Sequence, residues 1–254
     1  MKQLIFKTLD SFGYELRKKV APELKPKPLL DQTEPFMSIS NFAGEFTMTN
    51  MDRLQGLFIA VNYVVDNNIE GDFVECGVWR GGSSMAAALT FINRKQTDRK
   101  IWMYDTYEGM AETTEHDRDK NGFLASEILK RSDKSNPRSY FCIASYEEVE
   151  ANMKSTRYPM KNIQFIKGNV EETLLKEIPD KISILRLDTD YYTSTKAELE
   201  ILYDKLVPGG VLILDDYGHW QGARKAVDDY FDIKGKKPLF SFLDYAGVIA
   251  IKPL

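Results

Sequence analysis

A chain of 254 residues, 43% apolar and 28% charged, is long enough to bury a full core as one α/β domain or two smaller ones. A net charge of −4 and a pI near 5.4 leave no electrostatic footprint for a nucleic-acid partner, and no apolar run nears the roughly 18 residues of a membrane span. Cys76 and Cys142 form neither a metal spacing nor a disulfide framework, and Lys7 and Asp10 interrupt the only apolar stretch of the N-terminus, so a cytoplasmic protein without a signal peptide is expected.

In chain order, Ile5, Leu9, Phe12 and Leu16 recur at helical spacing, which predicts an amphipathic helix over 2–19. Its apolar face would pack on its own domain, on a second subunit or on a membrane surface. PELKPKPLL at 22–30 reads as an extended linker, since three prolines in nine residues cannot continue a helix. Residues 1–40 are therefore expected to form an extension, and 41–254 the main domain. There, a helix through LQGLFIAVNYVVDN leads to the strand DFVECGVW, the pair Gly81–Gly82, the helix SSMAAALTFIN and the strand KIWMYDTY. Residues 108–140 are polar, with helix-like pieces such as FLASEILKR, and read as an insertion or lid. The strands NIQFIKG and ISILRLD follow, then the helix TKAELEILYDKL, the strand GGVLILDD and the helix ARKAVDDYFD. PLFSFLDY and AGVIAIKP close the chain as a short hairpin. This alternation predicts a doubly wound, mostly parallel α/β sheet with one antiparallel strand.

Two features carry chemistry. VECGVWRGGSS has the strand–turn–helix layout of a nucleotide-binding loop: Gly77 and Gly81 permit a tight turn, and the helix opening at Ser83 points its free amides at an anion. The spacing is neither G-x-G-x-x-G nor a Walker loop. Glu75, before the first glycine, favours a ligand with a cationic group, as in S-adenosylmethionine. Asp105 ends the next strand, where a carboxylate can accept two ribose hydroxyls, and Gly168–Asn169 offer an adenine-edge loop.

The second feature is a pair of strands ending in acid, ILRLDTDYY and VLILDDYGHW. Asp188 and Asp190 share a face if extended geometry continues, and Asp215 and Asp216 end the next strand. Thr195 and Glu198 fit a capping box for the intervening helix, which would free Asp188 and Asp190 for other work. Neighbouring strands would bring these carboxylates within about 5 Å, an arrangement that calls for a hard cation: magnesium first, with calcium and manganese as alternatives. His219, two residues beyond DDY, is a candidate proton acceptor.

GDFVECGVWRGGSSM, YDTYEGM, LRLDTDYYTST and LVPGGVLILDDYGHWQGARKAV together resemble the macrocin/mycinamicin/novobiocin-type sugar O-methyltransferases, from about Phe46 to the end of the chain. The resemblance implies a seven-stranded class I methyltransferase sheet with S-adenosyl-L-methionine and Mg2+ as cofactors and a sugar-containing small molecule as acceptor. It further implies Asp188, Asp215 and Asp216 as metal ligands, Asp190 as general base, and FTMTN, with Thr47 and Met48, beside the cofactor. Homo-oligomers built partly through N-terminal elements are also implied. A catechol-type O-methyltransferase and a non-catalytic cofactor-binding subunit are the rival readings. The glycine spacing and the lack of a suitably placed Tyr-x-x-x-Lys pair disfavour an NAD-dependent reductase.

Overall fold

The computed structural model describes residues 34–136 and 138–254. The helix expected at 2–19 and the linker at 22–30 lie outside the described residues. The main compact unit runs from Glu34 to Leu254. It opens with helix α1 (Phe36–Ala43), so it begins ahead of the boundary expected at 41. Phe36, Ile39 and Ala43 bury one face of α1 in the core formed with α2 (Met51–Asp66) and α3 (Gly82–Asn93).

Seven strands among the described residues form one sheet: β1 (Asp72–Cys76), β2 (Ile101–Asp105), β3 (Ile163–Lys167), β4 (Ile182–Leu187), β5 (Leu206–Leu214), β6 (Ser241–Phe242) and β7 (Val248–Ile251). Their order is β3-β2-β1-β4-β5-β7-β6, and β7 alone runs antiparallel to its neighbours. The Val, Ile and Leu runs of β1, β4 and β5 are covered on both faces, as parallel strands require. Period-two alternation divides the core. Phe73, Ile184, Val211 and Ile213 face the α1–α3 layer. Val74, Leu185, Leu187, Leu212 and Leu214 face the opposite layer, which includes the short α6 (Val170–Thr173), α7 (Tyr192–Leu202) and α8 (Gln221–Lys234). Glu75 and Arg186 interrupt the first set and are register partners across β1 and β4. The order reverses at β1/β4, and the ligand crevice of such sheets opens beyond the strand ends at that point.

Several elements depart from the sequence reading. PLFSFLDY contributes only the two residues of β6, and Leu239 and Phe242 are exposed. The 108–140 insertion carries α4 (Ala125–Arg131) as expected. Beyond it lies an unexpected α5 (Tyr146–Ser155), whose amides are capped by the Ser145 hydroxyl at Glu148 N, 3.2 Å.

The capping box at Thr195 and Glu198 does not form. α7 starts at Tyr192, three residues earlier, so Thr195 lies inside it and Glu198 points into the core. The cap comes from far away instead: Asp117 Oδ1 accepts from Tyr192 N at 2.7 Å. Asp188 and Asp190 are free of capping duty, though for this different reason.

Candidate active site

The strand ends open into a cavity of about 480 Å³, within the range of small-molecule sites. It is lined by the glycine turn, the 47–49 segment, Asp105, Gly168–Asn169 and both acidic loops. Every candidate cofactor, metal and base residue named from the sequence borders it except Gly81, which stands one turn back as the left-handed N-cap of α3 (φ 89°).

The turn is built by close approach. A Cβ on Gly77 (φ 80°) would lie 2.0 Å from the carbonyl oxygen of Asp188, a contact only glycine allows. Asp188 N in turn donates to Cys76 O at 2.8 Å, so the glycine turn and the first acidic loop are stitched together. Thr47 is buried and its Oγ1 accepts from Thr49 N at 3.0 Å, whereas Met48 is exposed at the rim.

Asp105 already receives three amides: Val78 N at 2.6 Å and Trp79 N at 3.0 Å on Oδ2, and Tyr107 N at 2.7 Å on Oδ1. Burial raises its pKa more than these hydrogen bonds lower it. It therefore staples the glycine turn to β2 as well as facing the cavity. Glu75 is equally committed, since Oε1 accepts from Arg186 Nη1 at 2.5 Å and Oε2 from the Ser84 hydroxyl in the first turn of α3.

Oxygens of Asp188, Asp215 and Asp216 all lie within 4.8 Å of one another. At an effective dielectric of about 20, each ionised pair at that distance repels by about 3 kcal/mol. Burial, then mutual repulsion, drives Asp188 and Asp216 well above the usual carboxylate range, with Arg186 opposing the shift at Asp188. Two arginines supply the neutralising charge. Arg186 Nη1 donates to Asp188 Oδ2 at 2.7 Å, and its Nη2 to Asp215 Oδ1 at 2.6 Å and Thr49 Oγ1 at 3.0 Å. Arg53, three residues past the Asn50 cap of α2, pairs with Asp215 Oδ2 and, at 3.1 Å, with Asp244.

Asp216 Oδ2 is buried and accepts no hydrogen bond from any described residue. A buried acceptor left unpaired is costly. A cation bound by the three carboxylates would satisfy this oxygen, and an all-oxygen donor set suits a hard divalent ion. The residues fit a magnesium-type site.

Asp190 borders the same floor, but extended geometry does not continue to it: its φ is +68°. The left-handed bend turns the loop toward Asp216. Burial lifts Asp190 to about 7, with the neighbouring Asp216 carboxyl partly offsetting the rise, within the range for proton exchange near neutrality. His219 stands on the facing wall. Its Nδ1 is 3.2 Å from the Tyr245 hydroxyl and its ring packs edge-on to Trp220, with burial lowering its pKa.

Tyr140 and Trp220 complete this aromatic wall, with ring centroids 6.4 Å apart. Sequence reasoning passed over Arg186, Arg53 and this wall. Arg186 had a legible signal, as the one charge inside a strand of apolar residues and serine.

The chain matches known proteins along most of its length. The macrocin-O-methyltransferase sequence model covers residues 9–251. A curated relative from Streptomyces olivaceus, 8-demethyl-8-(2,3-dimethoxy-alpha-L-rhamnosyl)-tetracenomycin-C 4'-O-methyltransferase, is 32% identical over 80% of this chain and 74% of its own. The demethyldecarbamoylnovobiocin O-methyltransferase of Streptomyces niveus is also 32% identical, over 75% of this chain and 71% of its own. Among solved structures, the O-methyltransferase NovP superposes with a TM-score of 0.71 at 29% identity, covering 82% of this chain and 83% of that one. Fold and sequence agree, and the chain belongs to the macrocin-O-methyltransferase family of O-methyltransferase enzymes.

Proposed function

We propose that this enzyme transfers a methyl group from S-adenosyl-L-methionine to a hydroxyl of a sugar carried on a small molecule, with magnesium bound at the acidic cluster. The observation that carries this reading is the trio Asp188, Asp215 and Asp216, three ligand oxygens within 4.8 Å at the floor of the cavity that the glycine turn also lines. The names of the two curated relatives point to glycosylated natural products as the acceptor class.

When bound, S-adenosylmethionine supplies an electrophilic methyl on its sulfonium, and a divalent ion supplies Lewis acidity that lowers the pKa of an acceptor hydroxyl. The protein's part begins at the glycine turn, where Gly77 allows close backbone approach and the N-terminus of α3 presents free amides. Asp105 takes the ribose side, and Thr47 and Met48 cover the cofactor. Asp188, Asp215 and Asp216 would hold the ion. Asp190 takes the proton from the acceptor hydroxyl as the bond to methyl forms, with His219 as the alternative base. Tyr140 and Trp220 present ring faces for the acceptor body, and residues 108–140 help exclude water. A cytoplasmic site of action and a homo-oligomeric state belong to the same proposal.

The test is transfer of labelled methyl from S-adenosylmethionine to a panel of deoxysugar glycosides and catechols, with Mg2+ or excess EDTA. Mg2+-dependent labelling of the glycosides is expected. Labelling of catechols alone, or full activity in EDTA, would overturn the acceptor class or the metal role respectively.

A further inference from the structure

The feature least accounted for is Arg186. It is 2% exposed, lies midway between the two half-sites and donates four hydrogen bonds, three of them to carboxylates on three adjacent strands. Nη1 reaches Glu75 at the end of β1 and Asp188 just past β4, and Nη2 reaches Asp215 just past β5. Strand register makes this possible: Glu75 and Arg186 sit directly opposite each other and, by alternation, on one face of the sheet.

Glu75 hands the constraint on, because its other oxygen accepts from Ser84 in the first turn of α3, the turn that faces the glycine loop. A chain of contacts thus runs from the metal carboxylates through Arg186 and Glu75 to the cofactor helix. Nearby Arg53 touches Asp215 and Asp244 but not Glu75, so it spans only one half-site.

We propose that Arg186 is a positioning residue that ties the two half-sites together, fixing the metal-binding carboxylates and the cofactor turn with one guanidinium. The planar fork is essential to this role. A lysine ammonium carries the same charge but cannot span four acceptors set in two directions.

The inference rests on the proposed Mg2+ and S-adenosylmethionine sites, so its test is built on binding and uses charge-preserving variants. Calorimetry measures Mg2+ binding without cofactor, and S-adenosylhomocysteine binding in EDTA. Wild-type protein must bind both probes; if it does not, the functional reading fails and not this one.

Arg186→Lys and Glu75→Asp should each weaken both affinities at least tenfold. Asp105→Ala should weaken only S-adenosylhomocysteine, and Asp216→Asn only Mg2+. The diagnostic readings are the crossed ones: Arg186→Lys on S-adenosylhomocysteine, and Glu75→Asp on Mg2+. A merely structural role would lower the melting temperature while both dissociation constants of the folded protein stay within twofold of wild type. That result, or losses confined to each variant's own half-site, overturns the proposal. Should Arg186→Lys fail to fold, the effect of Glu75→Asp on Mg2+ decides alone.

Discussion

Glu198 offers a quantitative test of how this core tolerates charge. Its side chain enters the interior from α7, is fully buried, and neither carboxylate oxygen has a hydrogen-bond partner among the described residues. The Thr189 hydroxyl and Cys76 thiol lie close by without hydrogen-bond geometry, and burial pushes the acid from its ordinary 4.5 up to about 8. Between those two values the folded protein keeps a proton that the unfolded chain has released. Stability therefore falls as pH rises through that window and levels off above it.

At about 1.4 kcal/mol for each pH unit, the full window costs about 5 kcal/mol, a large share of a typical domain's stability. Glu198→Gln keeps the shape and cannot ionise. Urea denaturation in EDTA at pH 5, 7 and 8 should show the variant near wild type at pH 5 and more stable by about 3–5 kcal/mol at pH 8. Other titrating groups are common to both proteins and cancel. A gap that does not change with pH, or a variant less stable at pH 8, would refute the reasoning.

At the cluster, Asp188→Asn, Asp215→Asn or Asp216→Asn should raise the Mg2+ concentration for half-activity steeply. Asp190→Asn should leave that concentration unchanged while kcat drops by about 10²-fold or more; a fully active Asp190→Asn would move the base elsewhere. Burial alone holds Asp190 near 7 and a bound Mg2+ pulls it lower, so wild-type kcat should climb on an acid limb lying below about pH 7. Asp190→Asn should abolish that limb. If the limb survives there and vanishes in His219→Gln, His219 is the base. Gly77→Ala, which forces a methyl against the Asp188 carbonyl, should destabilise the fold by about 3 kcal/mol or more in chemical denaturation and weaken cofactor binding. Unchanged stability would mean that the β1–β4 contact yields easily.

The sheet was legible because its determinants are local. β1, β2, β4 and β5 are short apolar runs that end at acids or glycines, and the helices between them keep their period. The acidic cluster was legible for the same reason, since strand ends and strand order suffice to converge Asp188, Asp215 and Asp216. What was missed depends on distant partners. α7 begins at Tyr191–Tyr192, unremarkable as a start, because its cap is Asp117, seventy-five residues away. Without that partner in view, Thr195 and Glu198 looked like the start of the helix. α5 hides because only Val149 and Met153 of its ten residues are buried. PLFSFLDY reads as a short hairpin strand, yet β6 is an edge where only Ser241 and Phe242 find partners on β7.

Asp117 does more than cap a helix. Its Oδ2 holds Thr114 through both amide and hydroxyl, and Oδ1 lies so near α8 that a Cβ on Gly222 would come within 2.0 Å of it. The insertion is further moored by the Asp119–Trp220 bridge and by Gln221 N donating to Arg118 O at 2.8 Å. For anyone re-engineering the aromatic wall, the transplantable unit is therefore not the contiguous stretch 108–140. An exchanged insertion has to bring an acid at position 117, and the recipient has to keep glycine at 222. A graft that ignores this pairing would disturb the first turn of α7, and with it the loop that carries Asp190.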